Sequence, residues 1–168
     1  MATETTQQIQ QAEPQAQHRW LRKLVGDWTV EFESAEPGQP PTTNTGRERV
    51  RPLGDLWVIA EGEAQMPDGT PALSVLTLGY DSQKQRFVGT WIGSMMAYLW
   101  VYDGHLDAAE RVLTLDSEGP SMAGDGSMTT YRETIEFKND DHRVFTSRAQ
   151  TADGTWQEFM TAHYRRQR

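Results

Sequence analysis

Beyond Gly26 the chain alternates apolar and polar residues with a period of two, almost without interruption. Such alternation is the signature of strands with one covered face. Four Asp-Gly pairs, Asp68-Gly69, Asp103-Gly104, Asp125-Gly126 and Asp153-Gly154, punctuate it and read as hairpin turns, because Gly tolerates the positive φ that such turns require. About ten strands follow, near residues 27–34, 44–52, 55–65, 72–80, 85–92, 95–103, 105–107 with 110–118, 128–138, 143–151 and 155–166.

Only one segment has a helical period. Trp20, Leu21, Leu24 and Val25 recur at three- and four-residue spacing between Pro14 and the stop signal Gly26, which predicts a short amphipathic helix. Residues 1–13 are rich in Gln, Thr and Glu and predict a disordered tail, leaving 14–168 as a single domain. Unbroken short strands joined by hairpins favour an antiparallel meander, and closure removes its exposed edges. The expected fold is all-β: a roughly ten-stranded antiparallel barrel closed at one end by the N-terminal helix. Two loops, Pro37 to Pro41 and Glu118 to Gly126, either border a cavity mouth or simply connect strands.

Composition narrows the chemistry. With no cysteine among 168 residues, thiolate catalysis, disulfides and Cys-based zinc sites are excluded. A net charge of -8 disfavours nucleic acid as a partner. The Arg165, Arg166 and Arg168 cluster reads as a solvated tail. No secretory or membrane-spanning segment is evident, so a cytoplasmic protein without a membrane partner is the expectation. Phosphate-binding, dinucleotide-binding and nucleophile-elbow motifs do not occur.

These residues also carry a resemblance. Leu24-Val25-Gly26-Asp27-Trp28 resembles the Gly-x-Trp start of calycins, the superfamily of lipocalins and fatty-acid-binding proteins, in which the tryptophan caps the barrel floor. Leu78-Gly79-Tyr80-Asp81, Phe87-Val88-Gly89-Thr90-Trp91-Ile92, Ser94-Met95, Arg132-Glu133 and Tyr164-Arg165 together resemble the bacterial domain-of-unknown-function family 1579, a calycin-like barrel family. Gly93 departs from it, standing where the family commonly has a carboxylate or polar residue. The resemblance implies a lipocalin-like barrel and no settled activity.

In a small barrel alternate residues point inward. Met96, Tyr98, Trp100 and Tyr102 share a face that suits a lumen, as does Trp91 with Phe87 and Gly89, where Gly89 either leaves room or marks a bend. Core filling is the alternative for each. Glu61 shares parity with Trp57 and Ile59, and Glu133 with Tyr131, Ile135 and Phe137, so both acids enter the barrel if those faces are internal. Each would then need a partner, such as Arg49, Arg132 or Arg148, or carry a raised pKa. Of the histidines, His18, His105 and His142 are expected to be exposed. His163, on the last strand with Phe159, Thr161 and Arg165, is the one candidate to touch a ligand or hold haem iron. No pair has metal-ligand spacing, so no metal is expected.

The expected function is binding of a small apolar or amphipathic molecule through Glu61, Trp91, Tyr98, Trp100, Glu133 and His163, with no cofactor. Three alternatives stay open: an isomerase, cyclase or hydrolase using the lumen acids, a haem-binding nitrobindin-like protein with His163 as ligand, and a solid barrel acting as an interaction module. Oligomeric state, a homodimer included, is open.

Overall fold

The computed structural model describes residues 10–34 and 38–168. A helix α1 (Ala16–Leu21) and a 3₁₀ turn (Arg22–Leu24) precede ten strands: β1 (Gly26–Ser34), β2 (Thr42–Leu53), β3 (Trp57–Gln65), β4 (Pro71–Asp81), β5 (Arg86–Gly93), β6 (Trp100–Leu106), β7 (Val112–Pro120), β8 (Met128–Asn139), β9 (His142–Gln150) and β10 (Trp156–Arg166). Each pairs antiparallel with the next, and β1 pairs with β10 to close the barrel. In that seam Val30 lies opposite Tyr164 and Phe32 opposite Ala162, so the inward faces meet in register. Residues 1–9 of the expected disordered tail, and Pro37 of the first loop, lie outside the described residues.

The connections sort by end. The β1–β2, β3–β4, β5–β6, β7–β8 and β9–β10 links lie at one end, which we call open, and the remaining links share the other end with α1. Three Asp-Gly pairs form open-end hairpins, with Gly69, Gly126 and Gly154 at φ of 84°, 78° and 84°. In each, the Asp carboxylate accepts from the backbone and hydroxyl of the residue two positions on, Thr70, Ser127 or Thr155. The fourth pair is different. Asp103-Gly104 lies inside β6, where a Cβ on Gly104 would stand 2.6 Å from the Thr114 carbonyl oxygen; the glycine permits close strand approach. The actual turn is organised by Asp107, whose carboxylate accepts from the Arg111 and Val112 amides at 2.8 and 3.0 Å.

The closed end is a packed floor. Trp20 meets Phe87 and Phe137 edge to face, with ring centroids 6.0 and 5.6 Å apart, and its indole donates to the Glu110 carbonyl at 2.8 Å. Trp28 is buried and donates to the Leu24 carbonyl at 2.8 Å. His18, expected in water, is buried because its ring joins the Gln15 amide to the Tyr80 carbonyl, fixing α1 to β4. Arg166 also corrects its expectation as part of a free tail. Its guanidinium lies 4.3 Å from the Trp28 ring and donates to the Val25 and Lys23 carbonyls at 2.6 and 2.8 Å, latching the last strand to the turn before the first.

Candidate functional site

Inside the barrel the strands present two zones. Near the floor the inward residues are Val50, Val58, Leu78, Phe87, Leu113, Ile135 and Phe137, all buried. Toward the open end the inner wall becomes aromatic and glycine-rich. Trp100 lies over Gly119 so closely that a Cβ there would stand 2.1 Å from its ring, and it meets Tyr98 and Tyr131 edge to face at 4.9 Å each. Its indole donates to the Met96 sulfur at 3.2 Å, while Tyr98 donates to the Glu118 carbonyl at 2.9 Å and Tyr131 to the Pro120 carbonyl at 2.5 Å. Trp91 stands opposite Trp100 across β5 and β6, with its ring against Gly93. Met96 and Tyr98 belong to the β5–β6 connection, not to a strand that continues from Trp100, yet both remain beside it at the mouth.

Between mouth and floor runs a polar belt. Tyr102 of β6 donates to Glu133 Oε2 of β8 at 2.8 Å, and Ser147 of β9 reaches Glu133 Oε1 at 3.5 Å. Ser117 of β7 pairs with Tyr131 and sits one step beyond the Asp103–Asp116 pair, beside Tyr102. Its hydroxyl is buried and has no partner among the described residues. Burial pushes the Glu133 carboxyl up to about 7, with the Tyr102 and Ser147 hydrogen bonds opposing that rise. Tyr102 is held above the ordinary phenol range by burial first and the Glu133 charge second. Glu133 faces the barrel interior and is half-buried, so part of the residue is left accessible.

A second acid, Glu48 of β2, enters the lumen lower down and is treated differently. It pairs with Arg143 of β9 at 2.5 Å, and the Arg143 guanidinium stacks 3.9 Å from Tyr164 and 4.6 Å from Trp28. Burial and the Glu48 charge raise the Tyr164 phenol. The two inner carboxylates therefore differ in kind: among the described residues one has a cation, the other only hydroxyl donors.

The structure separates the six candidate residues. Trp91, Trp100 and Glu133 face inward and Tyr98 lies at the mouth. Glu61 does not enter the barrel. Val58 and Ala60 of β3 are the buried, inward residues, which puts Trp57 and Glu61 on the outer wall, where Trp57 covers Gly79. His163 is also on the outer wall, since its neighbours Ala162 and Tyr164 point in; it stacks on His142, with Nδ1 3.0 Å from His142 Nε2. His142 is thus half-buried, not free in a turn, and its pKa is lowered by burial and by Arg165. Gly89 leaves no room beside Trp91, as a Cβ there would meet the Thr77 carbonyl oxygen at 1.9 Å. The arginines expected to neutralise lumen acids are engaged outside, Arg49 with Asp27, Arg132 with Asp116 and Arg148 with Glu158.

Sequence reasoning missed Glu48, Arg143, Ser117 and Ser147. Glu48 had a signal, standing between Gly46 and Val50 on the period-two face, but the charged outer set Arg47, Arg49 and Arg51 hid it. Among the described residues no group of three or more His, Cys, Asp or Glu is placed to hold a metal ion, and no helix is long and apolar enough to cross a membrane.

Comparison with known proteins gives the fold wide company. The crystal structure of Rv2717c from M. tuberculosis superposes with a TM-score of 0.67 at 14% identity, covering 93% of this chain and 100% of that one. The S-type phycobiliprotein lyase CPES from Guillardia theta gives 0.58 at 13% identity, covering 92% and 99%. At these identities the likeness is one of fold. A search of curated proteins finds no match. The family described as protein of unknown function (DUF1579) matches residues 13–166, the whole barrel with its helical floor, and the chain belongs to that family.

Proposed function

We propose that the protein binds a small, largely apolar molecule in the upper half of its barrel, with the aromatic mouth around its body and the polar belt against its head. The observation that carries this reading is Glu133, half-buried on the inner wall, without an ion pair among the described residues, and on the same face as Trp91, Trp100 and Tyr131. Pockets for small molecules are mostly apolar with a few convergent polar groups, and this wall has that make-up. The fold is also that of a phycobiliprotein lyase, which is consistent with a barrel that receives a small molecule but specifies none.

The test is native mass spectrometry of freshly purified protein together with titration of a neutral solvatochromic probe. One site of micromolar or tighter affinity, with quenched tryptophan fluorescence, is the expected result. Absence of both a retained molecule and a saturable probe site would overturn the proposal.

Glu133 also favours a second reading. An acid with a pKa near 7 beside Tyr102 suits proton transfer at neutral pH, so an isomerase, cyclase or hydrolase acting on the bound molecule would use Glu133. A two-carboxylate mechanism is not available to it, because Glu61 is outside and Glu48 is neutralised by Arg143.

A further inference from the structure

The polar belt has an electrostatic imbalance that defines what its ligand must supply. Three hydroxyl groups face Glu133 or stand beside it, from Tyr102 on β6, Ser117 on β7 and Ser147 on β9. None of them is a cation, and Glu133 has no ion pair among the described residues. Arg143, the buried cation on the lumen side, is not free to serve: its side chain is 3% exposed, its charge is matched by Glu48 and its guanidinium is covered by the rings of Tyr164 and Trp28. The other charged or titratable groups near the belt are the Tyr131 phenol of β8, the Tyr164 phenol of β10 and the Glu48 carboxylate of β2, none of them positive.

We infer that the barrel selects molecules whose polar head is a protonated amine: an apolar body passes between Trp91, Trp100 and Tyr131, and the ammonium group pairs with Glu133 while donating to the unpartnered Ser117 hydroxyl. This rests on the proposed ligand-binding role and gives that ligand a chemical class. The physics is direct. A buried carboxylate without a counterion costs free energy that a bound cation relieves, whereas a carboxylate-headed ligand would add a second negative charge to the same low-dielectric space. Aromatic faces at the mouth favour passage of a cation, and the net charge of -8 attracts it from a distance. Ser117 is a buried residue whose hydroxyl has no partner among the described residues, and it is the second recognition element.

Binding also moves a proton. At pH 6 much of Glu133 is protonated, and pairing with an ammonium holds it ionised, so uptake of the amine releases a proton to solvent and affinity rises as the pH is taken from 5.5 to 8.

The experiment uses three probes with one body, decylammonium, decanol and decanoate, each displacing the neutral solvatochromic probe from wild-type protein and from the E133Q, S117A and E61Q variants. Decylammonium is expected to bind at least tenfold more tightly than decanol and decanoate least tightly. E133Q abolishes the preference for the amine and keeps decanol binding, S117A reduces the preference severalfold, and the outer-wall change E61Q leaves it intact. Calorimetry in two buffers of different ionisation enthalpy detects the released proton. Decanoate binding as tightly as decylammonium, or an amine preference that survives E133Q, overturns the inference while ligand binding stands. If none of the three displaces the probe, the inference fails with the apolar body it assumes; if no probe binds at all, the ligand-binding reading itself has failed.

Discussion

The two ends of this barrel treat buried charge and exposed apolar surface in opposite ways. At the floor the buried charges are paired: Glu48 with Arg143, whose Nε alone lacks a partner among the described residues, while Arg166 is held by two carbonyls and the Trp28 face, and of the large apolar side chains at this end Leu53 and Trp57 remain exposed. In the upper half, among the described residues, Glu133 lacks a cation and Ser117 lacks a partner, and Leu73, Ile92, Met95, Met96, Leu99, Val101, Met122 and Met128 leave large apolar side chains in water around the open end. Singly such side chains need no explanation, but most of them group at one end, which is where the proposed binding role puts contact with other molecules. If the proposed binding role holds, stability and function occupy different heights of the same strands.

The floor is where that contrast breaks most easily. Replacing Arg143 by Met leaves Glu48 buried without a cation, and loss of one member of a buried pair costs about 3–5 kcal/mol. Urea denaturation should show that loss, while replacing Arg132 in its half-exposed pair with Asp116 should cost less than about 1 kcal/mol. Similar costs at both sites would mean that the buried pair at the floor stabilises the barrel no more than a surface pair does.

Glu133 should behave in the opposite sense. Its carboxyl is raised from an ordinary 4.5 to about 7, so the folded state binds more protons than the unfolded state between those values. Stability from this group therefore falls as the pH rises through that window, by on the order of 3 kcal/mol for a shift of this size. Glu133→Gln removes that slope and is expected to be the more stable protein at pH 8, read by denaturation at pH 5, 6.5 and 8. An unchanged slope in the variant would show that Glu133 is solvated or has a cation.

This difference between the acids also marks where sequence reasoning reached and where it stopped. Ten strands, the helical plug and closure were legible, because period-two alternation and three Asp-Gly turns are local signals with local causes. Asp103-Gly104 carried the same dipeptide for another reason, close packing against Thr114 and Leu115, which belong to the neighbouring strand and lie ten or more residues away. Parity failed at β3, where the larger residues Trp57 and Ile59 face out and the small Ala60 and Gly62 continue the inner wall. The cation that pairs with Glu48 comes from β9, reached only through the barrel's closure, so no spacing along the chain reveals it.

At the mouth the contrast predicts a smaller effect that separates affinity from stability. Trp100 touches Tyr98, Tyr131 and Gly119 but is not fully covered, so Trp100→Ala should weaken probe binding by about 1–3 kcal/mol, the range of a buried aromatic anchor. Its stability loss should stay below that of Arg143→Met. Probe binding at full strength in Trp100→Ala would remove this face from the ligand's path.

The smallest effect is expected outside the wall, at His163. Its ring stacks on His142 beside a shallow depression lined by Asn139, Asp140, Asp141, His142, Arg165 and Arg166, a polar surrounding with none of the apolar cover that a haem face requires. Its Nδ1 is already engaged by His142, and the wall of β10 separates it from the lumen. His163→Ala should therefore change stability by no more than about 0.5 kcal/mol, as surface substitutions do, and leave probe affinity unchanged. Haemin titration decides whether this side of the barrel is inert. Equal, weak binding to wild type and His163→Ala is expected, while a sharp Soret band in the wild type that the substitution abolishes would place a cofactor on the outer wall and end the division of labour between floor and mouth.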